Sequence, residues 1–287
     1  MSAHLELAYR PQVHRPVLVC AFGGWNDGGE AATTALTYAR DRWSARRFAH
    51  VDPEEFFDFQ VNRPTVHLEQ GRTRRLQWPA CEFFQARPSG RDVLLFLGVE
   101  PNVRWRTFCE QILSVCRDLR VELLVTLGAF LADVPHTRPA PVSAASADPG
   151  WAERLGVEPS RYEGPTGIVG VLNEMASRGG IAAVSLWAAA PHYLPSGTNP
   201  RVAVALLAKL TDLLGVEVDR SGLLSAVAVW EREVRRAVEE DQNLLAYVAR
   251  LEELAAEQPE PEGIPSGDQL AAELERYLRE QRGDGGS

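Results

Sequence analysis

Short, continuous apolar runs alternate along this chain with stretches whose apolar positions recur three and four apart. "RPVLVCAF" (15–22), "DVLLFLGVEPN" (92–102), "VELLVTLGAF" (121–130) and "IAAVSLWAAAPHY" (181–193) predict strands covered on both faces, because a half-exposed strand would alternate. "RRFAHVD" (46–52) predicts a further strand, and "TVHLEQGRTRRLQWP" (65–79) alternates around Gln70-Gly71 as a hairpin does. After the Gly-rich "GGWNDGGE", "AATTALTYARDRW" reads as a helix. "VRWRTFCEQILSVCRDL" (103–119) puts Trp105, Phe108, Cys109, Ile112, Leu113 and Cys116 on one helical face. Residues 162–180 give a helix with Thr166 as N-cap, a stripe of Ile168, Val171, Leu172 and Met175, and a stop at Gly179. In 199–215, Asn199 caps, Pro200 takes the first helical position and Gly215 ends the helix.

Strands alternating with helices imply parallel pairing by crossovers, so the predicted fold is a three-layer α/β/α sandwich with a mostly parallel or mixed sheet. From Ser221 onward the pattern is helical only. "LLSAVAVWEREVRRAVEE" is followed by "DQNLLAYVARLEELAAE", with Leu244, Leu245, Val248, Leu251 and Leu254 on one side. A breaker-rich linker, "QPEPEGIP" (258–265), precedes "SGDQLAAELERYLREQ" (266–281), whose stripe is Leu270, Leu274, Tyr277 and Leu278. The expected organisation is an α/β domain over 1–220 and a helical extension over 221–287, its last few residues disordered. Such stripes pack on their own domain or form the seam of an oligomer.

Composition narrows the partners. The 287 residues are 45% apolar and 24% charged, as in an ordinary soluble domain. There is no membrane-length apolar run and no basic segment followed by an apolar one near the start, so a cytoplasmic protein is expected. A net charge of −9 argues against nucleic acid or an anionic membrane as partner. The basic residues are arginines apart from Lys209. Cys20, Cys81, Cys109 and Cys116 show no paired spacing, which points to core packing rather than zinc or disulfides.

In open parallel sheets ligands bind beyond the carboxyl ends of the strands. The unusual polar residues fall at such ends: Trp25, Asn26 and Asp27; Glu100 and Asn102; Asp133, His136, Thr137 and Arg138; Tyr162, Glu163 and Thr166; His192 and Tyr193. They are expected to converge on one rim as the lining of a pocket. Each also has a structural reading: Asp27 or Thr166 as a helix cap, the histidines as loop tethers, Arg138 bonded to loop carbonyls or paired with Asp133 or Glu163. No nucleophile elbow, HExxH, Walker loop or metal-spaced His/Cys cluster is present. No residue is therefore assigned a catalytic role, and no metal or cofactor is expected.

"GWNDGGEAA", "LGAFLADVPHTRP", "YEGPTGIVGVL", "SLWAAAPHYLPSGTNP" and the C-terminal "IPSGDQLAAELERYLRE" together resemble the bacterial branch of the proteasome assembly chaperone family, from about Tyr9 to Arg279. The resemblance implies a fold like that of purine nucleoside phosphorylases with a helical extension, and a homo-oligomer, a trimer. It marks Trp25 to Asp27, 134–138, 164–167 and 187–193 as signature positions, and it carries over no catalytic set. Two functions follow, and a third, a small-molecule sensor, would share the second's pocket without turnover. One is a non-catalytic assembly or scaffold protein engaging another protein. The other is a hydrolase or phosphorylase in which Arg138 holds an anion, Trp25 or Tyr193 stacks on a base, and a carboxylate or histidine moves a proton.

Overall fold

The computed structural model describes residues 4–69, 73–155, 158–159, 163–194 and 197–257. Its strands are β1 (Leu5–Leu7), β2 (Val17–Gly23), β3 (Arg46–Val51), β4 (Thr65–Glu69), β5 (Thr73–Gln77), β6 (Glu82–Ala86), β7 (Val93–Val99), β8 (Leu123–Ala132), β9 (Val142–Ser146), β10 (Glu158–Pro159) and β11 (Ala183–Pro191). Its helices are α1 (Ala31–Arg42), α2 (Trp105–Asp118), α3 (Pro149–Leu155), α4 (Ile168–Arg178), α5 (Pro200–Leu214), α6 (Ser221–Glu240) and α7 (Gln242–Glu257).

Nine strands form one sheet in the order β1-β3-β6-β7-β2-β8-β11-β9-β10. The central four, β7-β2-β8-β11, are parallel, and they are the four continuous apolar runs. β2 explains their composition. Val17, Val19 and Ala21 face α1 and α5, while Leu18, Cys20 and Phe22 face α2 and α4, so all six are buried. A strand with helices on both sides has no solvent face to make polar. The result is the expected three-layer α/β/α arrangement. The sheet is mixed because β6 and β9 pair antiparallel to β7 and β11.

Local signals in 199–215 are realised residue by residue. Asn199 Oδ1 accepts the Val202 N–H at 3.2 Å, Pro200 opens α5, and Gly215 closes it in the left-handed region at φ 62°. The sole lysine, Lys209, sits exposed on this helix. All four cysteines are free and buried, Cys109 and Cys116 together on the inner face of α2.

One expectation fails locally. Thr166 does not cap α4: Gly167 holds the N-cap position without a side-chain bond, and Thr166 is exposed. The Ile168 N–H is taken instead by Glu100, 68 residues away. In α7 the predicted stripe is only partly buried, since Val248 and Leu251 are inside while Leu245 and Leu254 are about half exposed. β4 and β5 form the expected hairpin as a separate two-stranded sheet. α6 joins the α/β core through Leu223 and makes a small cluster with α7 from Val234, Val238 and Val248. Residues 258–287, which include the last predicted helix, lie outside the described residues, as does Tyr162.

Candidate functional site

The parallel strands β7, β2, β8 and β11 end on one edge of the sheet, so the loops after them share a rim. β3 runs the same way, being antiparallel to β6, which is antiparallel to β7; its outgoing loop and the β4–β5 hairpin belong to that rim too. The candidate residues fall on it in two groups rather than around one depression.

The first group lies over β2 and β7. Asn26 is 2% exposed, and its Nδ2 donates to Glu100 Oε1 at 2.9 Å. The same carboxylate oxygen accepts the Ile168 N–H at 2.8 Å, so one acid ties the β2 loop to the start of α4. A negative group at a helix N-terminus is also favoured by the helix dipole. The third partner is steric: a Cβ on Gly167 would lie 2.4 Å from Asn26 Nδ2, which only glycine avoids. Asn26 Oδ1 is buried without a hydrogen-bond partner among the described residues. Next to it Asp27 takes the Ala32 N–H at 2.7 Å and the Thr33 N–H at 3.3 Å on one oxygen, and the Thr33 hydroxyl on the other. Burial raises its carboxyl pKa, while those three donors pull it down. Asp27 is thus the helix cap that sequence offered as its structural reading. Trp25 is 51% exposed above this group, and Glu163 and Thr166 are exposed beside it. Asn102 accepts from the Asp58 N–H and from Asn62 Nδ2, both at 2.8 Å, fixing the base of the hairpin to the rim.

The second group lies over β8 and β11. The Tyr193 hydroxyl oxygen accepts the His136 backbone N–H at 2.7 Å and stands 2.7 Å from His136 Nδ1. The hydroxyl has both a proton and a second lone pair to offer the ring, so it partners Nδ1 in either imidazole tautomer. The pKa shifts agree. Burial, then Arg201, lowers His136, and burial raises Tyr193, so both groups are held neutral. Asp133, His192 and Tyr247 form a triangle: His192 Nε2 to Asp133 Oδ1 at 2.7 Å, the Tyr247 hydroxyl donating to Asp133 at 2.6 Å, and 2.9 Å between Tyr247 and His192.

Helix α7 roofs this second group. Thr137 donates to Glu252 at 2.6 Å, and Arg138 donates to the Ala255 and Glu252 carbonyls at 2.8 and 3.1 Å. Arg201 grips the loop from below through the Thr137 and Arg138 carbonyls and pairs with Glu231 of α6. The space left beside His136 and Arg138 amounts to about 10 Å³, enough for roughly one water molecule. A larger hollow of about 280 Å³ is shallow and lies on α1, along Thr33, Thr37 and Asp41.

Sequence reasoning missed Tyr247, Glu252, Arg201 and Thr33. Thr33 is six residues from Asp27 and was within reach of a capping argument. Tyr247 lies in an amphipathic stripe, where an aromatic reads as packing. Among the described residues no group of His, Cys, Asp and Glu side chains is arranged to hold a metal. No helix there is long and apolar enough to cross a membrane.

Residues 21–238 match the PAC2 family. The fold is similar to that of a PAC2 family protein from Streptomyces avermitilis, at 44% identity over 81% of this chain and 99% of that one, with a TM-score of 0.75. A proteasome-assembly chaperone homologue from Mycobacterium tuberculosis is similar at 47% identity, again over 81% and 99%, with a TM-score of 0.72. An archaeal proteasome activator from Pyrococcus furiosus shares the fold at 17% identity, over 81% and 97%, with a TM-score of 0.67. No curated protein matches the chain.

Proposed function

The chain belongs to the PAC2 family, and on that premise we propose that it is a non-catalytic assembly protein, chaperone- or scaffold-like, that engages another protein. Its similarity to a proteasome-assembly chaperone homologue makes proteasome subunits the partner to test first. The observation that carries the reading is the state of the second group. His136, Thr137, Arg138, His192 and Tyr193 are engaged with one another and with α7, and the space left beside His136 and Arg138 is about 10 Å³. A nucleoside needs a pocket of hundreds of Å³, so the phosphorylase alternative requires the 134–138 loop and the helices packed on it to move apart. The open surface at the rim is instead Trp25 and its exposed neighbours, which suits a protein face better than a small molecule.

A cytoplasmic location and self-association as a trimer belong to the same proposal. Mixing the purified chain with purified proteasome subunits and measuring native mass tests the partner. A stoichiometric complex, weakened by Trp25→Ala, is expected, and no complex overturns it. Light scattering at 31.7 kDa, the mass of one chain, overturns the trimer. A thermal-shift panel of nucleosides with phosphate is expected to be silent, since a ligand at 100 times its Kd would add about 2.7 kcal/mol of apparent stability.

A further inference from the structure

The β4–β5 hairpin is the most exposed apolar element of the described chain. Val66 faces Leu76 across the pair, Leu68 faces Arg74, and these four share one side of the ribbon. Val66, Leu68 and Leu76 are 53%, 64% and 52% exposed. Trp78, edge-to-face with Phe59 at 4.8 Å between ring centres, and Val61 extend the same apolar stretch at its base. An isolated two-stranded ribbon is marginal in water by itself, so an uncovered apolar side invites a third element.

We infer that this side of the hairpin is the docking surface for the chain's own C-terminal segment, residues 266–281. Three observations single out that occupant. The first is pattern: Leu270, Leu274, Tyr277 and Leu278 predict one apolar helical stripe, with Glu273 and Glu280 along its edge. The second is charge. Residues 61–78 carry four arginines against one glutamate, whereas 258–287 carry seven acidic residues against three arginines. Helices α6 and α7, the nearer alternative in sequence, carry seven acidic residues against four arginines and would repel the segment. The hairpin is the basic partner, with Arg74 at the turn end of its apolar side. The third is reach. α7 ends beside Arg138, over β8, and the hairpin stands at the β3 end of the same rim. From β8 to β3 is four strand spacings, about 19 Å. The eight-residue linker 258–265 spans about 26 Å extended, and a 16-residue helix adds about 24 Å.

Disulfide closure within one chain tests this. The four native cysteines are buried, with thiols pushed up to about 12 for Cys81, Cys109 and Cys116, so an introduced pair on the surface reacts first. In dilute full-length protein, Leu68→Cys with Leu274→Cys is expected to close within the monomer about tenfold faster than Leu68→Cys with Ala272→Cys on the opposite side of the predicted helix, because docking raises the effective concentration of one pair only. Equal rates, no closure, or linked dimers in place of closed monomers would each overturn the inference, the last assigning the surface to a second copy. Hydrogen exchange gives a reading without cysteines. Relative to the unaltered chain, Leu270→Glu with Leu274→Glu and Leu278→Glu should lose protection in β4 and β5; unchanged protection there overturns the inference as well.

Discussion

The two halves of the rim are closed by different means. Over β2 and β7, Asn26, Glu100 and Gly167 lock loops that emerge directly from the buried centre of the sheet, and a half-buried carboxylate there meets a buried amide and a buried backbone N–H. Over β8 and β11 the polar residues meet a helix that arrives more than 100 positions later, and the contacts to it are at exposed atoms. The same residue types therefore fasten the fold in one place and hold down a roof in the other. The first half should fail only with the whole domain, while the second has the makings of a unit that opens alone.

Glu100→Ala puts the most weight on that contrast. It leaves the Asn26 amide and the Ile168 N–H without an acceptor in a buried setting, and about 3 kcal/mol of global stability should go, read by urea denaturation. A loss below about 1 kcal/mol would mean that this half is no more built-in than the other. Tyr193→Phe strips the acceptor from the His136 N–H and the hydrogen-bond partner from its ring, and should cost about 1.5 kcal/mol with the same two-state curve. Arg138→Ala should cost under about 1 kcal/mol globally, since its partners are exposed carbonyls, yet raise hydrogen exchange at the end of α7. Uniform exchange across the chain would erase the distinction between the halves.

Acid sharpens the contrast by the smallest margin. The lowered pKa of His136 means that the folded chain binds fewer protons there than the unfolded chain once pH drops below about 6.5. Stability should then fall as pH goes from 7.5 toward 5, fully expressed below the folded pKa. Arg201 and Arg235 reinforce the shift, while Glu252 and Glu231 oppose it. The slope of Tm against pH should be shallower in His136→Asn. Asp27, raised by burial, contributes with the opposite sign and in the carboxylate range.

How much of this was readable beforehand depends on where each interaction is made. The four central strands and α5 were legible because burial on two sides and capping by adjacent residues are written locally. β6, β9 and β1 were passed over: β9 reads "VSAAS", small and half polar, and it is a strand only because β11 offers it a ladder. Thr166 was the natural cap for α4 by local rules, and a carboxylate from another loop displaced it. That the polar residues share one rim followed from parallel strands alone. Their division into two groups did not, because it depends on where α7 lands, and nothing within Tyr247 or Glu252 announces a partner in the 133–138 loop.

Lys209, exposed on α5, has a practical corollary for the surface as a whole. Every other basic side chain is an arginine, histidines aside, and a guanidinium keeps its charge at any pH the protein tolerates. Amine-directed chemistry thus meets one side chain in the whole molecule. A dye coupled there reports from a known spot on the outer helical layer without disturbing either end of the rim.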